Sequence, residues 1–561
     1  MTWLVPLPVI LPLLGAGLTL MLSRHPVLQR AVSTSVLAAV VAIAATLLYQ
    51  TDRHGPQVLW LGAWQEPLGI SLVADRLSAL MLLVSALVTL AVLVYSIGQG
   101  MTGDERETPV TIYHPTFLVL AAGVSNAFLA GDLFNLFVSF EMLLFASYVL
   151  LTLGGTSARI RAGTIYVVVN VVSSSLFLIS LAAVYAATGS LNLAQLAGRV
   201  SDLPDPVSLV LQLLLVTTFA IKAAVFPLSF WLPDSYPTAP APVTAVFAGL
   251  LTKVGVYAII RIQTLVFPDS PLTDLLLAAA LLTLVVGILG AVAQTDIKRM
   301  LSFTLVSHIG YMMFGISLGT MAGYSGAIFY VAHHITIQTA LFLVLGLVER
   351  RGGSTSLIKL GGLARLAPLL GVLFFVPAMN LAGIPPMSGF LGKVALTEAG
   401  LRVGTPLAYA VVAAGMLTSL LTLYAVAKCW NLAFWRTPEE AHGMARELSG
   451  LDRQATSRDV VRHRDHVHAG ASSLNARDLD EARSIVDEGD GTNQDLYQLA
   501  DQGVLPTRLP RTMVAATGGL VGVSLALTVV AGPLFGYTER AAADVGDRDL
   551  YISSVLPEGS R

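Results

Sequence analysis

Six side chains that can carry charge lie near the centres of long apolar segments in this sequence. They are one glutamate, three lysines and two histidines: Glu141, Lys222, Lys253, His308, His334 and Lys393. A charged side chain at the centre of a bilayer costs roughly 2.5–3.5 kcal/mol even on the lenient insertion scale. Because all three residue types exchange protons, we expect them to form a proton relay through an apolar region.

Glu141 lies in the apolar run FNLFVSFEMLLFASYVLL, where a carboxylate must be either protonated or paired with a cation. We expect Lys222 to be its partner. Burial disfavours the charged form of a lysine and a nearby carboxylate favours it, so making and breaking the pair would let the lysine take up and release a proton. The alternative is that Lys222 extends to the membrane surface from a helix end.

Lys222 and Lys393 each lie close to residues that interrupt a helix. Lys222 precedes Pro227 by five residues, and Lys393 follows the pair Pro385-Pro386. Irregular backbone at membrane depth is tolerated where it is buried in protein or lines a wet cavity. We therefore expect both lysines to border such a cavity.

Lys253 and the two histidines would connect these breaks. Lys253 lies in the middle of its apolar segment, from which it cannot easily reach the surface. An imidazole titrates near neutral pH and can pass a proton between its two nitrogens, so His308 and His334 are predicted relay residues. A buried histidine held by a serine or a carbonyl is the alternative. His333 is expected to point to another face, and Ser173, Ser174 and Ser175 could hold bridging water.

The composition is that of a multi-pass membrane protein. Of 561 residues, 55% are hydrophobic and 12% are charged, whereas soluble domains have about 25% charged residues, and the mean hydropathy is +0.73. A net charge of −2 without a basic recognition motif argues against nucleic acid as a partner. The single cysteine, Cys429, allows no internal disulfide and no cysteine-bound cluster, so no cofactor and no metal site are predicted.

An all-α fold of about fourteen transmembrane helices is predicted from runs of roughly 20 apolar residues. The predicted helices span 3–23, 31–49, 77–98, 115–130, 133–153, 162–187, 207–226, 237–261, 273–293, 301–319, 323–347, 366–395, 404–434 and 511–533. The breaks fall in the seventh and twelfth helices. This spacing favours two inverted five-helix repeats, formed by helices 4–8 and 9–13.

Basic residues are more frequent in the loops after odd-numbered helices, which predicts that these loops are cytoplasmic and that both termini are outside. The odd loops contain Arg24, Arg30, Arg106, Arg159, Arg161, Lys298, Arg299, Arg350, Arg351, Lys359 and Arg365. The even loops contain Arg53, Arg76, Arg199, Arg261 and Arg402.

Five regions are expected: 1–114 with helices 1–3 and an extracytoplasmic hairpin at 57–74, a first repeat at 115–261, a second at 262–435, a soluble cytoplasmic insertion at 436–510, and the last helix and tail at 511–561. Residues 190–200 resemble a short interfacial helix. His463, His466 and His468 in the insertion could bind a metal, but a solvated loop is favoured because no second ligand cluster accompanies them.

The chain resembles the antiporter-like subunits shared by Mrp-type multisubunit sodium/proton antiporters and respiratory complex I. The resemblance covers roughly residues 70–435 and rests on SFEMLLFASYVLL, FPLSFWLPDSYPTAPAPVTAVFAGLLTKVGVY, DIKRMLSFTLVSHIGYM and GIPPMSGFLGK. It implies that Glu141, Lys222, Lys253 and Lys393 are the essential charges. The D-type Mrp subunits are the most similar branch, although Gln338 stands where many relatives have a lysine.

The resemblance implies a proton-translocating subunit of a multisubunit Na+/H+ antiporter in a bacterial plasma membrane. Its partners would be the A-, B-, C-, E-, F- and G-type Mrp subunits, and it would be a secondary transporter subunit rather than an enzyme. The alternative is a proton-pumping membrane subunit of NADH:quinone oxidoreductase or a related hydrogenase. A scaffolding subunit is a third possibility. No cluster of carboxylates and carbonyls resembles a sodium cage, so the sodium route stays open.

Overall fold

The computed structural model describes residues 2–64, 69–99, 110–153, 157–268, 270–441, 443–444 and 508–556. Within these residues, 13 helices are long and apolar enough to cross a membrane. The remaining predicted segment, the twelfth, is divided into two shorter helices. The predicted all-α polytopic fold is therefore confirmed, whereas the three histidines of the 436–510 insertion lie outside the described residues.

The first half of the chain runs from the N-terminus to the eighth predicted span. Its helices are α1 Leu7–Met21, α2 Pro26–His54, α3 Arg76–Gln99, α4 Val110–Leu129, α5 Leu133–Thr152, α6 Ser157–Thr188, α7 Leu193–Arg199, α8 Asp205–Ala223, α9 Leu232–Ser235, α10 Ala241–Val246 and α11 Thr252–Arg261. The π-helical segment Phe247–Leu251 joins α10 to α11, and a second one, Ile262–Val266, extends this continuous span. Short 3-10 turns occupy Thr2–Leu4, Leu61–Ala63 and Tyr236–Thr238.

The second half begins with a tightly packed pair of helices. Its helices are α12 Thr273–Val292, α13 Ile297–Ser317, α14 Met321–Gly352, α15 Leu363–Leu366, α16 Pro368–Ala382, α17 Ser388–Val403, α18 Pro406–Cys429, α19 Arg511–Val529, α20 Ala531–Gly546 and α21 Arg548–Val555. A π-helical segment, Trp430–Trp435, extends α18. Helices α20 and α21 were not predicted from the sequence, which is less apolar there.

The hairpin predicted at 57–74 is present. Strands β1 Gln57–Trp60 and β2 Ser71–Ala74 are antiparallel, with Gln57 opposite Ala74 and Trp60 opposite Ser71. Isolated bridges join Leu72 to Ala130 and Asp132 to Asn192, so the loops after α2, α4 and α6 meet at one end of the helices. We call this end the hairpin face. The short helix predicted at 190–200 is present as α7, and most of its apolar residues are buried.

The helices that carry the predicted relay residues form the centre of the bundle. The apolar window is 100% buried in the span Ala241–Val266, 94% buried in α13 and 100% buried in α14. By contrast, only 39% of the window in α6 and 44% in α12 are buried. Lys253, His308 and His334 are therefore enclosed by protein, while α6 and α12 present broad apolar surfaces outward.

The predicted breaks in the seventh and twelfth spans are confirmed. The first follows α8 at Ala224, which has left-handed backbone (φ 59°), and Pro227 comes three residues later. The second follows α16 at Gly383 (φ 84°), before Pro385 and Pro386. Left-handed backbone ends a helix, and proline cannot restart its hydrogen bonding because it lacks the N–H group.

Arg261 corrects the loop assignment made from the sequence. It lies at the end of α11, is 4% exposed and forms a 2.5 Å ion pair with Asp75 at the start of α3. Its guanidinium also lies over the rings of Tyr257 and Tyr551. From the sequence, an arginine at the end of an apolar run indicates the start of a loop. The residues that pair with Arg261 are far away in sequence, so the pairing could not be predicted.

Candidate functional site

Glu141 and Lys222 are joined through one serine. The Ser174 hydroxyl on α6 donates a hydrogen bond to Glu141 Oε1, and Lys222 Nζ donates to Ser174 Oγ at 3.2 Å. The ammonium also lies 5.0 Å from the centre of the Phe140 ring. The two charged groups form no direct ion pair in the described part of the chain, so the predicted pair is bridged by a hydroxyl.

Lys222 is held inside the protein. It lies in the last turn of α8 and is 5% exposed, so it does not extend to the surface as the alternative interpretation required. The C-terminal end of a helix carries a partial negative charge that favours a nearby cation. Trp231 supports the break by donating from Nε1 to the Ile221 carbonyl at 3.2 Å. The break thus holds the lysine at a fixed depth.

Lys253 lies next to this break on the neighbouring span. Gly255, two residues later, packs so closely on Ala223 that an added Cβ would lie 2.8 Å from the Ala223 nitrogen. Lys253 is 0% exposed, and its Nζ donates to the Ala248 carbonyl at 2.6 Å. Ala248 belongs to the π-helical segment, and such segments occur frequently at functional sites. The wider turn supplies the acceptor for a fully buried ammonium.

The two predicted relay histidines are neighbours. The His308 and His334 ring centres are 5.2 Å apart, and both side chains are 0% exposed. Neither ring nitrogen of His334 has a hydrogen-bond partner among the described residues, and the same holds for Gln338 Oε1. Buried polar atoms of this kind are normally satisfied by protein or ordered water. Both His334 nitrogens and Gln338 Oε1 therefore keep unused hydrogen-bonding capacity beside the relay.

Two tyrosines extend the histidine cluster. Tyr330 forms a 2.8 Å hydrogen bond with His308 Nδ1, and its ring centre is 5.2 Å from that of Tyr311. The Tyr311 ring lies 5.2 Å from Lys393 Nζ. Neither tyrosine was predicted, because aromatic residues in apolar helices are most often ordinary core residues.

Lys393 closes the series at the second break. Its Nζ donates to the carbonyls of Leu381 and Ala382 at 3.0 and 2.9 Å and to Ser419 Oγ at 3.0 Å. These carbonyls belong to the last turn of α16 and have no later helical N–H to accept from. Both broken helices therefore end beside a buried lysine, although Lys222 donates to a side chain and Lys393 mainly to backbone.

We expect Gly383→Ala to lower ion exchange about fivefold in vesicles that contain the assembled protein. Left-handed backbone costs a non-glycine residue roughly 1–2 kcal/mol. An added Cβ would also lie 3.1 Å from Lys393 Nζ and 3.3 Å from Ser419 Oγ. Gly404→Ala is the control, since Gly404 has φ 75° but its nearest atom, on Tyr409, is 3.6 Å away. Equal exchange rates in the two variants would contradict the prediction.

His333 has a role that the sequence did not indicate. It diverges from His334, as expected, but its Nδ1 hydrogen-bonds Ser388 Oγ at 2.9 Å. Ser388 begins α17, and its backbone N–H donates to Thr528 Oγ1 on α19. Asn380 spans the break by accepting from the Gly389 N–H at 2.8 Å. His333 thus contacts the restart of the broken helix.

The geometry supports proton transfer between neighbouring titratable groups. Glu141, Ser174 and Lys222 form one connected cluster, and His308, His334 and Lys393 with the two tyrosines form another. Lys253 lies in the span between them. The residues that the structure describes contain no group of three or more His, Cys, Asp or Glu side chains that could hold a metal ion.

Comparison with known families identifies the chain. A family model described as NADH:quinone oxidoreductase/Mrp antiporter, TM, matches residues 130–422, which is over half of the 561 residues. The chain belongs to this family. A second model, for the N-terminus of complex I chain 5, matches residues 60–106 of this antiporter-family protein.

Individual relatives agree with this assignment. The protein is 42% identical over 446 residues to the D-type subunit of the Na(+)/H(+) antiporter of Alkalihalophilus pseudofirmus, covering 78% of the chain and 89% of that relative. It is 40% identical over 449 residues to the corresponding D-type subunit of Bacillus subtilis, covering 79% and 90%. The predicted resemblance to the D-type branch is confirmed.

Solved structures show the same fold. A chain of the Mrp complex from Dietzia sp. DQ12-45-1b superposes with a TM-score of 0.83 at 33% identity, covering 99% of this protein and 100% of that chain. A chain of the membrane-bound sulfane sulfur reductase, an archaeal respiratory membrane complex, gives a TM-score of 0.80 at 25% identity with the same coverage. The antiporter and respiratory complexes thus share one subunit architecture.

Proposed function

We propose that this protein translocates protons as a subunit of a multisubunit Na+/H+ antiporter of the Mrp type, in the plasma membrane of a bacterium. The observation that supports this most directly is the series of neighbouring titratable groups within the spans, in which Glu141 and Lys222 share one hydroxyl and His308 and His334 are in ring contact. Relatives at 40–42% identity are named as D-type subunits of Na(+)/H(+) antiporters.

The proposed relay runs from Glu141 through Lys222, Lys253, His334 and His308 to Lys393. Among the described residues, the hydrogen bonds of each lysine go to uncharged oxygens, so it can release its proton without breaking an ion pair. Each imidazole can take a proton on one nitrogen and release one from the other. The route is proposed to run laterally through the middle of the membrane.

The surface around Glu141 supports the expectation of partner subunits. Glu141 is only partly buried, and Val138 and Phe145, on the same face of α5, are 37% and 63% exposed. This face of α5 is therefore turned outward. A carboxylate in contact with lipid is unfavourable, whereas a helix of another subunit could shield it and exchange protons with it. The partners would be the A-, B-, C-, E-, F- and G-type Mrp subunits, and the transported ions H+ and Na+.

The alternative assignment is a proton-pumping subunit of NADH:quinone oxidoreductase or a related hydrogenase. The structural similarity to a respiratory membrane complex supports this alternative, but the sequence identity to that complex, 25%, is lower than the 42% identity to the antiporter relative. In either case the chain is proposed to act as a transport subunit rather than as the site of a chemical reaction. The two inverted repeats, at 115–261 and 262–435, remain part of the proposal.

The deciding experiment measures proton movement in vesicles that contain the purified complex, without any electron donor. A sodium pulse is expected to drive proton movement, and a complex purified without this protein is expected to show none. Proton movement that requires an electron donor would support the respiratory alternative. Sodium-driven movement that persists without this protein would contradict both assignments of the chain.

A further inference from the structure

A cavity of about 290 Å³ lies between α14, α17 and α20 and is not used by the proposed relay. Small side chains such as Gly326, Ala395 and Ala399 line it, together with Glu539 and with Glu398, which forms an ion pair with Arg402. Its helix α20 is attached to the end of α2 by ion pairs from Arg540 to Asp52, which places the cavity on the hairpin face. The positive-inside pattern predicts that this face is extracytoplasmic.

The cavity and the His333–Ser388 pair face the same gap between helices. Gly326 lies seven residues before His333 on α14, and Ala395 lies seven residues after Ser388 on α17. Residues seven apart lie on one face of an α-helix, and they are separated along its axis by about 10 Å. His333 and Ser388 therefore lie directly below the cavity, on the side of α14 that turns away from His334.

An aromatic pair separates the cavity from His333. Phe329, one turn before His333, is 0% exposed and stacks on Phe535 of α20 with ring centres 4.0 Å apart and planes within 8°. A Cβ added at Gly392 would lie 3.1 Å from Phe329, so α17 closes the other side. Two stacked rings form an apolar barrier that water and protons do not readily cross.

The C-terminal helices hold both sides of this barrier. Thr538 on α20 hydrogen-bonds Ser325 at 3.0 Å, and Gly546 packs against Met321. Below the barrier, Thr528 Oγ1 on α19 accepts a hydrogen bond from the backbone N–H of Ser388. A shift of α20 would therefore move Phe535 relative to Phe329 while Ser388 stays attached to α19.

We propose that this cavity is a water-accessible outlet of the relay, that His333 carries protons to it, and that the Phe329–Phe535 stack closes it. This inference rests on the proposed function. The His333 ring centre is 5.4 Å from that of Tyr330, and the Tyr330 hydroxyl forms a hydrogen bond with His308. The imidazole takes a proton on one nitrogen and releases one from the other, so it is neutral before and after each transfer. Glu539 at the mouth, rather than Glu398 in its ion pair with Arg402, then receives the proton.

Thiol labelling tests the outlet independently of transport. The sole cysteine of this protein, Cys429, is buried, so its band, separated from the other subunits by electrophoresis, should be labelled little without a substitution. A membrane-impermeant sulfonated maleimide is expected to label Ala395→Cys from the hairpin face, because a thiol reacts as the thiolate and needs water. Leu420→Cys is the matched control. Leu420 is 63% exposed on the apolar outer surface of α18, which faces lipid rather than water, so this variant should stay unlabelled. Absence of labelling at Ala395→Cys in intact vesicles would overturn the outlet.

Passive proton conductance tests the barrier and His333 together. Under an imposed pH gradient without sodium, Phe535→Ala is expected to raise the proton leak about fivefold, while Phe535→Leu keeps it near the unmodified level. Adding His333→Gln to Phe535→Ala should remove the extra leak. A leak that survives His333→Gln, or no leak in Phe535→Ala, would overturn this inference. If the unmodified complex shows no sodium-driven exchange while Ala395→Cys is still labelled, the result would count against the proposed function alone.

Discussion

Replacing Lys253 with methionine is expected to lower sodium-driven proton exchange by at least about 100-fold, the lower end of the effect of removing a proton-transfer group. Lys253 is fully buried, and its ammonium has a carbonyl acceptor from the π-helical segment but no acidic partner among the described residues. Methionine has a similar length and is apolar, so it leaves no unpaired buried charge. Loss of exchange would then report loss of the proton carrier.

Two variants distinguish proton transfer from charge or folding. Lys253→Arg keeps a positive charge that does not dissociate in proteins, so it is expected to be as inactive as Lys253→Met. Lys298→Met is the matched control, because Lys298, in the first turn of α13, is a largely buried lysine that pairs with Glu349 near the end of α14, away from the relay. Exchange is measured per assembled complex in vesicles. Near-normal exchange by Lys253→Met would remove this residue from the relay.

Composition and spacing were sufficient to predict the helices and the charged residues. The apolar runs gave the spans because each helix must cover a fixed membrane thickness, and the prolines located both breaks. The depth of Lys222 and Lys393 followed from the same runs. These features are local in sequence, so a single chain reveals them without contacts.

Contacts between distant residues could not be predicted. The sequence offers Ser173, Ser174 and Ser175 in one row, and only the rotation of α6 selects Ser174 as the bridge to Glu141. The pairing of Asp75 with Arg261 depends on how α3 meets α11. Apolar spans carry little information about which face packs against which helix, because lipid and protein interior favour the same side chains.

The role of the C-terminal helices was missed for a related reason. Helix α20 is amphipathic and follows the last predicted span, where a tail was expected. Its contacts with α14 join residues more than 200 positions apart, such as Ser325 and Thr538. A tail and a structural helix look alike in composition until the surface that receives the helix is known.

Ser174→Ala is expected to lower sodium-driven exchange at least about tenfold, since it removes the hydroxyl that joins Glu141 to Lys222. A methyl group cannot accept from the ammonium or donate to the carboxylate, so both groups lose a buried partner. Ser175→Ala is the matched control, because Ser175 is the next residue on α6 and is exposed on its outer surface.

Ser174→Thr supplies the second control for this bridge, because it restores a hydroxyl at the same position and should recover most of the exchange. Complex assembly is checked by copurification of the other subunits, so that a folding defect is not read as a transport defect. Glu141→Ala and Lys222→Ala, which remove either end of the bridge, are expected to abolish exchange. If Ser174→Ala exchanges as fast as Ser175→Ala, the hydroxyl bridge is not on the proton route and Glu141 must reach Lys222 by another path.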